Sequence, residues 1–167
     1  MKESGLYLGS NKLNFSDGKV SSEIVMLGNE EYYCIRNFDS MPPFLMSIVS
    51  NSNHWMYISS YGGVTAGRVN PDNSLFPYYT DDKIHDSSGN TGSKTILRID
   101  TEGKVYLWEP FSRSNSGIYK LSGNLYKNIP GNKLIFEECN HDLGLCFRYS
   151  WMNSDRFGWV RKSELLN

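Results

Sequence analysis

The fold is decided near the end of the chain by residues 145–165, which read LCFRYSWMNSDRFGWVRKSEL. Alternate residues of an extended strand point to opposite sides of a sheet. One side of the first half is apolar and aromatic: Leu145, Phe147, Tyr149 and Trp151. Residues 153–156 have turn chemistry, and the next run puts Phe157 and Trp159 opposite Val160 and Lys162. The stretch predicts an antiparallel β-hairpin with one aromatic face.

The rest of the chain repeats short apolar runs separated by Gly, Asn, Ser and Asp. This spacing is typical of β-sandwiches and barrels. The predicted strands are 5–14, 19–27, 32–38, 44–50, 55–60, 64–68, 94–100, 104–109, 117–122, 133–139, 145–153 and 157–165. A short helix is predicted only around Asp81–His85, because no segment sustains a helical apolar period. We therefore expect an all-β fold, an antiparallel β-sandwich that forms a single domain over residues 1–167.

Charge and hydropathy exclude several classes of protein. The 167 residues have a formal net charge of −1, so we do not expect the broad positive surface of a nucleic-acid-binding protein. No run approaches the ~18 apolar residues of a transmembrane helix. Residues 1–5 lead into Leu6 without the apolar region of a secretory signal. We expect no nucleic acid and no membrane as partners, and a cytoplasmic protein.

Three cysteines, Cys34, Cys139 and Cys146, are too few and too scattered for a disulfide framework. Cys139 and Cys146 flank His141, but their spacing matches no standard zinc pattern. We interpret these two cysteines as small residues of paired strands, joined by the turn at 140–144. The metal interpretation is the less favoured alternative, and no metal site is expected.

The chain shows no catalytic set of its own. No serine stands in a Gly-x-Ser-x-Gly elbow, although a Ser-His-Asp set is spatial and the histidines leave one open. Residues 61–68, YGGVTAGR, lack the ending of a phosphate-binding loop, which favours a tight turn.

The adjacent carboxylates Asp81 and Asp82 do not suit the paired acids of a glycosidase, because neighbouring strand residues point to opposite faces. We expect them to cap a short helix or to pair with Lys83 or Arg68. Calcium is a further option, because hard oxygens are abundant here, although the chain has no EF-hand spacing. We therefore expect no catalytic residue and no cofactor.

Residues 59–93 form a long irregular stretch, and such stretches are often functional in compact domains. Flat rings beside charged groups favour sugar binding, because the apolar face of a sugar stacks on an aromatic ring while its hydroxyls bond to polar groups. The candidate substrate-binding residues are Tyr61, Arg68, Tyr78, Tyr79, Asp81, Asp82 and His85. A surface loop fixed by its own polar contacts has the same composition, so both interpretations stay open.

Several segments taken together resemble a known family. They are Ser60–Gly63 (SYGG), Gly67-Arg68, the loop 78–82, 96–100 (ILRID), 103–112 (GKVYLWEPFS) and 153–167 (NSDRFGWVRKSELLN). In this order, over residues 44–167, they resemble the N-terminal β-supersandwich domain of glycoside hydrolase family 94, the cellobiose-phosphorylase-like proteins. The family usually has Ser where Glu109 stands and a second Arg where Lys162 stands.

The resemblance implies a supersandwich of the galactose-mutarotase type with an accessory role. In the family, the general acid and most phosphate-binding residues lie in a separate (α/α)6 barrel. The resemblance thus implies the N-terminal part of a larger enzyme that acts by phosphorolysis or transfer at β-glucosides. Its partners would be a β-glucoside, the barrel of the same parent chain and a second copy in a homodimer. Two alternatives stay open, a free-standing carbohydrate-binding module and a ligand-free structural or oligomerisation domain.

Overall fold

A computed structural model describes residues 5–15, 18–101 and 103–167. In these residues the strands are, in chain order, β1 (Tyr7–Leu8), β2 (Asn11–Lys12), β3 (Ser21–Leu27), β4 (Glu30–Arg36), β5 (Leu45–Ser47), β6 (His54–Ser59), β7 (Val64–Arg68), β8 (Leu97–Thr101), β9 (Lys104–Trp108), β10 (Leu121–Asn128), β11 (Lys133–Asn140), β12 (Leu145–Ser154) and β13 (Gly158–Leu166). The described helices are α1 (Asp81–Asp86) and three single 3-10 turns, Phe38–Ser40, Pro71–Asn73 and Arg113–Asn115.

Antiparallel pairing organises these strands into two main sheets. The larger sheet has six strands in the order β13-β12-β11-β10-β4-β3, and the smaller has the order β5-β6-β7. Two further hairpins, β1-β2 and β8-β9, stand beside them. The expected all-β, antiparallel sandwich is confirmed.

The core lies between the two main sheets. From the six-stranded sheet it contains a row of large side chains: Leu125, Leu134, Phe136, Phe147, Tyr149 and Trp151. From the three-stranded sheet it contains Met56, Ile58, Val64 and Ala66. Trp108, at the end of β9, is completely buried in the same cluster. Burial of these apolar surfaces is the main term that holds the sheets together.

The outer face of the six-stranded sheet carries a smaller cluster around a buried carboxylate. Tyr126 and Asn124 each donate a 2.7 Å hydrogen bond to Oε1 of Glu137, and Arg148 pairs with its other oxygen. Cys34 is completely buried nearby, packed with Tyr126. Burial raises the pKa of Glu137, but the hydrogen bonds from these partners outweigh it and leave the pKa below its usual value.

The predicted C-terminal hairpin is confirmed. β12 and β13 pair from Cys146 with Leu166 to Ser154 with Gly158, and the aromatic side of β12 faces the core. The expected position of Phe157 is wrong, because this residue lies in the turn and is 72% exposed. The predicted helix is confirmed as α1.

The predicted strand 44–50 is shortened to β5, and two other predicted strands differ further from the structure. The expected strand 117–122 gives way to β10, which begins at Leu121 and runs on to Asn128. Gly123 and Asn124 suggest a turn in sequence, yet they are central in the sheet, where a side chain on Gly123 would meet Asp39 Oδ1 at 2.9 Å. The expected strand 5–14 is a hairpin of two short strands, broken by a turn at Gly9 with φ +63°.

Among the residues that the structure describes, no helix has the length and apolar character needed to cross a bilayer.

Candidate functional site

A cleft of about 870 Å³ lies along the inner face of the six-stranded sheet. Its other walls come from the turn at 60–62, the loop at 88–95 and the segment 109–114 that follows β9. This volume is in the range of small-molecule sites, roughly 300–1,000 Å³. The cleft is therefore the leading candidate for a binding site.

Glu138 is the buried acid of the cleft. Its carboxylate accepts a 2.9 Å hydrogen bond from Trp108 Nε1 and a 3.0 Å bond from the Phe111 N–H. Burial raises the pKa of Glu138 to about 7, although the hydrogen bonds oppose this change. Phe111 has φ +65°, an uncommon conformation for this residue type. Glu138 thus holds the 108–111 segment against the sheet.

Two arginines of the cleft lie over tyrosine rings. The guanidinium carbon of Arg161 is 4.5 Å from the ring centre of Tyr149, and that of Arg113 is 3.9 Å from the ring centre of Tyr61. Burial lowers the pKa of Arg161, yet an arginine stays charged in proteins. Burial raises the pKa of Tyr149, so its hydroxyl stays protonated at neutral pH. The cleft thus offers cations, ring faces and a phenol to a ligand.

Of the predicted binding residues, Tyr61 alone is in the described wall of this cleft. Arg68 is exposed at the end of β7, and Tyr78 packs edge-on against Trp55, with ring centres 5.8 Å apart. The Tyr79 N–H donates to Thr65 Oγ1 at 3.4 Å. The structure therefore places Tyr61 in the cleft wall without Arg68, Tyr78 and Tyr79.

Asp81 and His85 join a chain of polar contacts that reaches Ser59. His85 Nε2 is 3.3 Å from Asp81 Oδ1, and His85 Nδ1 is 2.8 Å from Ser59 Oγ. These are the residue types of a hydrolytic triad, but Ser59 is completely buried and its Oγ also accepts the Tyr61 N–H. A buried serine is not available to attack a substrate. These polar contacts instead anchor α1 to β6.

Asp82 also makes local contacts. Its Oδ1 accepts a hydrogen bond from Thr80 Oγ1, which lowers the pKa of Asp82. Asp81 and Asp82 both lie in the first turn of α1, where a negative charge stabilises a helix. No ion pair of either carboxylate with Lys83 or Arg68 is found in the described part of the chain. Sugar binding by these residues stays a prediction.

An aromatic cluster lies on the outer face of the three-stranded sheet. Trp55 contacts Tyr57 and Tyr78, with ring centres 6.4 and 5.8 Å apart. Tyr57 is 43% exposed and Tyr78 is 57% exposed. The Trp55 indole nitrogen is buried without a hydrogen-bond partner. Alternation along β6 places Trp55 and Tyr57 on one side, which was a usable signal for this cluster.

Apart from Tyr61, the charged and aromatic residues that line the cleft are absent from the predicted group of sugar-binding residues. Arg161 and Phe111 line the cleft and lie in segments that support the family resemblance, so the resemblance could have indicated them. Glu138 had no such signal, because it follows Glu137 in β11 and the sequence does not reveal that both of these acids will be buried. Arg113 and Tyr149 come together with their partners only through tertiary folding.

The cysteine prediction needs one correction. Cys139 and Cys146 are directly paired residues of β11 and β12, as expected, but they form a disulfide bond. The register of the hairpin allows this bond, because directly paired residues of adjacent strands lie close enough for their sulfurs to bond. Cys34 is the free, buried cysteine. The disulfide also removes both sulfurs from the alternative metal site, and His141 Nε2 instead lies 2.8 Å from Ser122 Oγ.

The described residues contain no group of three or more His, Cys, Asp or Glu side chains arranged to hold a metal ion. Comparison with models of known protein families and with curated proteins finds no match to the chain.

Proposed function

We propose that this chain is an accessory β-sandwich domain of a cellobiose-phosphorylase-like enzyme, and that it is not catalytic alone. The parent enzyme would act on β-glucosides by phosphorolysis or transfer. Its (α/α)6 barrel would supply the catalytic residues and would be the main partner of the domain. A second copy in a homodimer is a further proposed partner.

The observation that carries this proposal is the convergence of distant segments. The turn Ser60–Gly63, the segment 108–112 and the final strand with Arg161 all belong to the family resemblance. Ser60, Tyr61, Glu109, Phe111 and Arg161 line one cleft. Segments that resemble a family and meet at one cleft support a shared function for that cleft.

The absence of catalysis in the isolated domain is supported by how its acids and its serine are held. Glu138 already accepts two N–H bonds, from Trp108 and Phe111. Ser59 is completely buried, and its Oγ forms hydrogen bonds with His85 Nδ1 and the Tyr61 N–H. These groups fix structure, which leaves a general acid to be supplied from elsewhere.

An immunoblot of source cells with an antibody raised against the chain tests for the larger parent. We expect a band far above the 19.1 kDa of the chain. The parent, captured with this antibody, should release sugar 1-phosphate from cellobiose and inorganic phosphate, whereas the isolated chain should release none. A single band at the mass of the chain, or release by the chain alone, would contradict the proposal.

A second candidate is a free-standing carbohydrate-binding module, favoured by the outer cluster of Trp55, Tyr57 and Tyr78. Isothermal titration of the chain with oligosaccharides distinguishes the two. Binding that is lost in Tyr78→Ala or Tyr57→Ala, but kept in the exposed control Tyr33→Ala, supports the module. Binding that is lost in Tyr61→Ala instead supports the cleft.

A ligand-free oligomerisation domain is favoured by one edge of the large sheet. β3 has no partner on its outer side among the described strands, and Ile24, Met26 and Tyr33 of the β3-β4 hairpin are each more than half exposed. Light scattering should then show a stable dimer that Ile24→Lys converts to a monomer. A monomer at all concentrations would exclude this function.

We also retain cytoplasmic location as a proposal from the sequence. The Cys139–Cys146 disulfide argues against it, since such bonds persist mainly in oxidising compartments. Fractionation of the source cells decides between a cytoplasmic location and an oxidising compartment.

A further inference from the structure

The Cys139–Cys146 disulfide crosses the hairpin of β11 and β12 on the face opposite the main core. Both cysteines are partly exposed. Their neighbours in the adjacent strands are Ser122 of β10, which is small, and Leu166 of β13, which is 37% exposed. A small thiol can therefore reach the two sulfurs from solvent while the protein stays folded.

The hairpin does not need this bond to keep its register. β11 and β12 pair along all 8 residues of β11, and β10 and β13 pair with the hairpin on its two sides. Glu138 pairs with Phe147 on one side of the cysteines, and Asn140 pairs with Leu145 on the other. The strands therefore stay paired around the two cysteines when the bond is open.

The turn that joins the two strands is also held by its own hydrogen bonds. Asn140 Oδ1 accepts the N–H groups of Asp142 and Leu143 at 3.2 and 3.1 Å. Asp142 Oδ2 accepts the Lys120 N–H at 2.8 Å, and the His141 N–H donates to the Lys120 carbonyl at 3.0 Å. A reduced hairpin would thus keep its two thiols facing each other, in position to bond again.

We propose that Cys139 and Cys146 form a reversible thiol–disulfide exchange site in the folded protein, with a dithiol as the reductant. A thiolate of the dithiol attacks one sulfur, the S–S bond breaks, and the other cysteine leaves as a thiolate that takes up a proton. The second thiol then breaks the mixed disulfide, so two electrons pass to the protein and the reagent becomes a disulfide. The inference goes beyond the role in a parent enzyme, because it depends only on this hairpin.

Such a site removes the conflict between the disulfide and the proposed cytoplasmic location. Disulfides of cytosolic proteins are mostly transient and take part in redox sensing or catalysis, whereas fixed cross-links belong to oxidising compartments. A bond that opens and closes in the folded state can exist in either. Cys34 takes no part in the exchange, because it is completely buried.

Reduction of the full chain without denaturant tests the proposal. The chain is treated with dithiothreitol and an alkylating reagent, and the modified cysteines are mapped by mass spectrometry. Cys34 reports unfolding in the same molecule, because its thiol is reached only when the fold opens. We expect Cys139 and Cys146 to be modified about tenfold or more faster than Cys34, with an unchanged circular dichroism spectrum. After removal of the reductant, oxidised glutathione should restore the Cys139–Cys146 bond alone.

The control is the same reaction in urea that unfolds the chain, where all three cysteines should react alike and reoxidation should give mixed pairings. Modification of Cys139 and Cys146 at the rate of Cys34 would mean that the bond opens only on unfolding, which overturns the proposal. Loss of the native spectrum on reduction also overturns it. Native reduction of a chain with no larger parent on the immunoblot would reject the accessory role and keep this inference.

Discussion

The indole nitrogen of Trp108 donates a 2.9 Å hydrogen bond to the carboxylate of Glu138, and both side chains are buried. This bond ties the β8-β9 hairpin to the centre of the large sheet. It also keeps an ionisable group in the core beside the cleft. The stability of the protein should therefore depend on pH through this group.

We expect Glu138 to reduce stability as the pH rises. Its pKa is about 7 in the folded protein and near 4.5 when unfolded, so the folded state holds more protons between these values. The free energy of unfolding should fall by about 3 kcal/mol across this window on account of Glu138. Urea unfolding of the wild type and Glu138→Gln at pH 5 and pH 8 measures the difference.

The glutamine variant should be less stable than the wild type at pH 5 by about 2 kcal/mol, because its amide cannot accept both N–H groups. The gap should close by pH 8, where the wild type carries a buried charge. Apart from Asp39, whose charge interacts with Glu138, the other acids titrate alike in both proteins, so parallel pH curves would contradict the role given to Glu138.

Removing Arg148 should destabilise the outer face of the large sheet. Glu137 is 95% buried, and Arg148→Met leaves its charge without an ion pair, at a cost of about 3 kcal/mol at pH 7. The pKa of Glu137 is lowered in the fold, so its stabilising contribution is present above its unfolded pKa and is lost as the pH falls through the folded pKa. The Arg148→Met penalty should therefore shrink in acid.

The control for this variant is Lys162→Met, which removes an exposed ion pair with Glu164. Exposed pairs contribute little, so we expect a change of about 0.5 kcal/mol or less. Equal losses from the two substitutions, measured by urea unfolding, would show that burial of Glu137 is not what matters.

The disulfide predicts a definite thiol count. The unfolded, unreduced chain should react with one equivalent of thiol reagent, at Cys34, and the reduced chain with three. Cys34→Ser should lower both counts by one. Three reactive thiols before reduction would rule out the Cys139–Cys146 bond. Because the bond closes a short loop, its loss in Cys139→Ser should cost about 2 kcal/mol, as read from the thermal midpoint.

Gly63→Ala should be strongly destabilising. A Cβ at Gly63 would lie 2.1 Å from the backbone oxygen of Ile84, so α1 would have to move away from β6 and β7. We expect a loss of about 3 kcal/mol in thermal or urea unfolding. Gly89→Ala is the matched control, because a Cβ there meets nothing within 4 Å. Similar stabilities for the two variants would contradict this packing.

The fold could be predicted where the pattern is local. Leu145, Phe147, Tyr149 and Trp151 alternate in sequence and share one face of β12. β10 could not be predicted in full. A glycine is required at position 123 because a side chain there would clash with Asp39, a residue far away in sequence. Local composition there indicates a turn, whereas the neighbouring strands require an extended chain.

The candidate site was predicted less well for the same reason. The binding prediction grouped residues that are close in sequence, from Tyr61 to His85. The cleft instead combines Arg161 of β13 with Tyr149 of β12 and Arg113 of a distant turn. The partners of an arginine are set by strand order, which alternation along one strand does not reveal.

The order of strands in the large sheet has a consequence for how the chain is made. β4 pairs with β10, so the hairpin of β3 and β4 leaves the ribosome long before its neighbour exists. At ordinary rates of synthesis this interval is on the order of 10 s, whereas a hairpin forms in microseconds. Ile24 and Met26 are thus exposed to solvent on an isolated hairpin that has not yet paired with β10. The newborn protein is most exposed to chaperones, and to aggregation, during that interval.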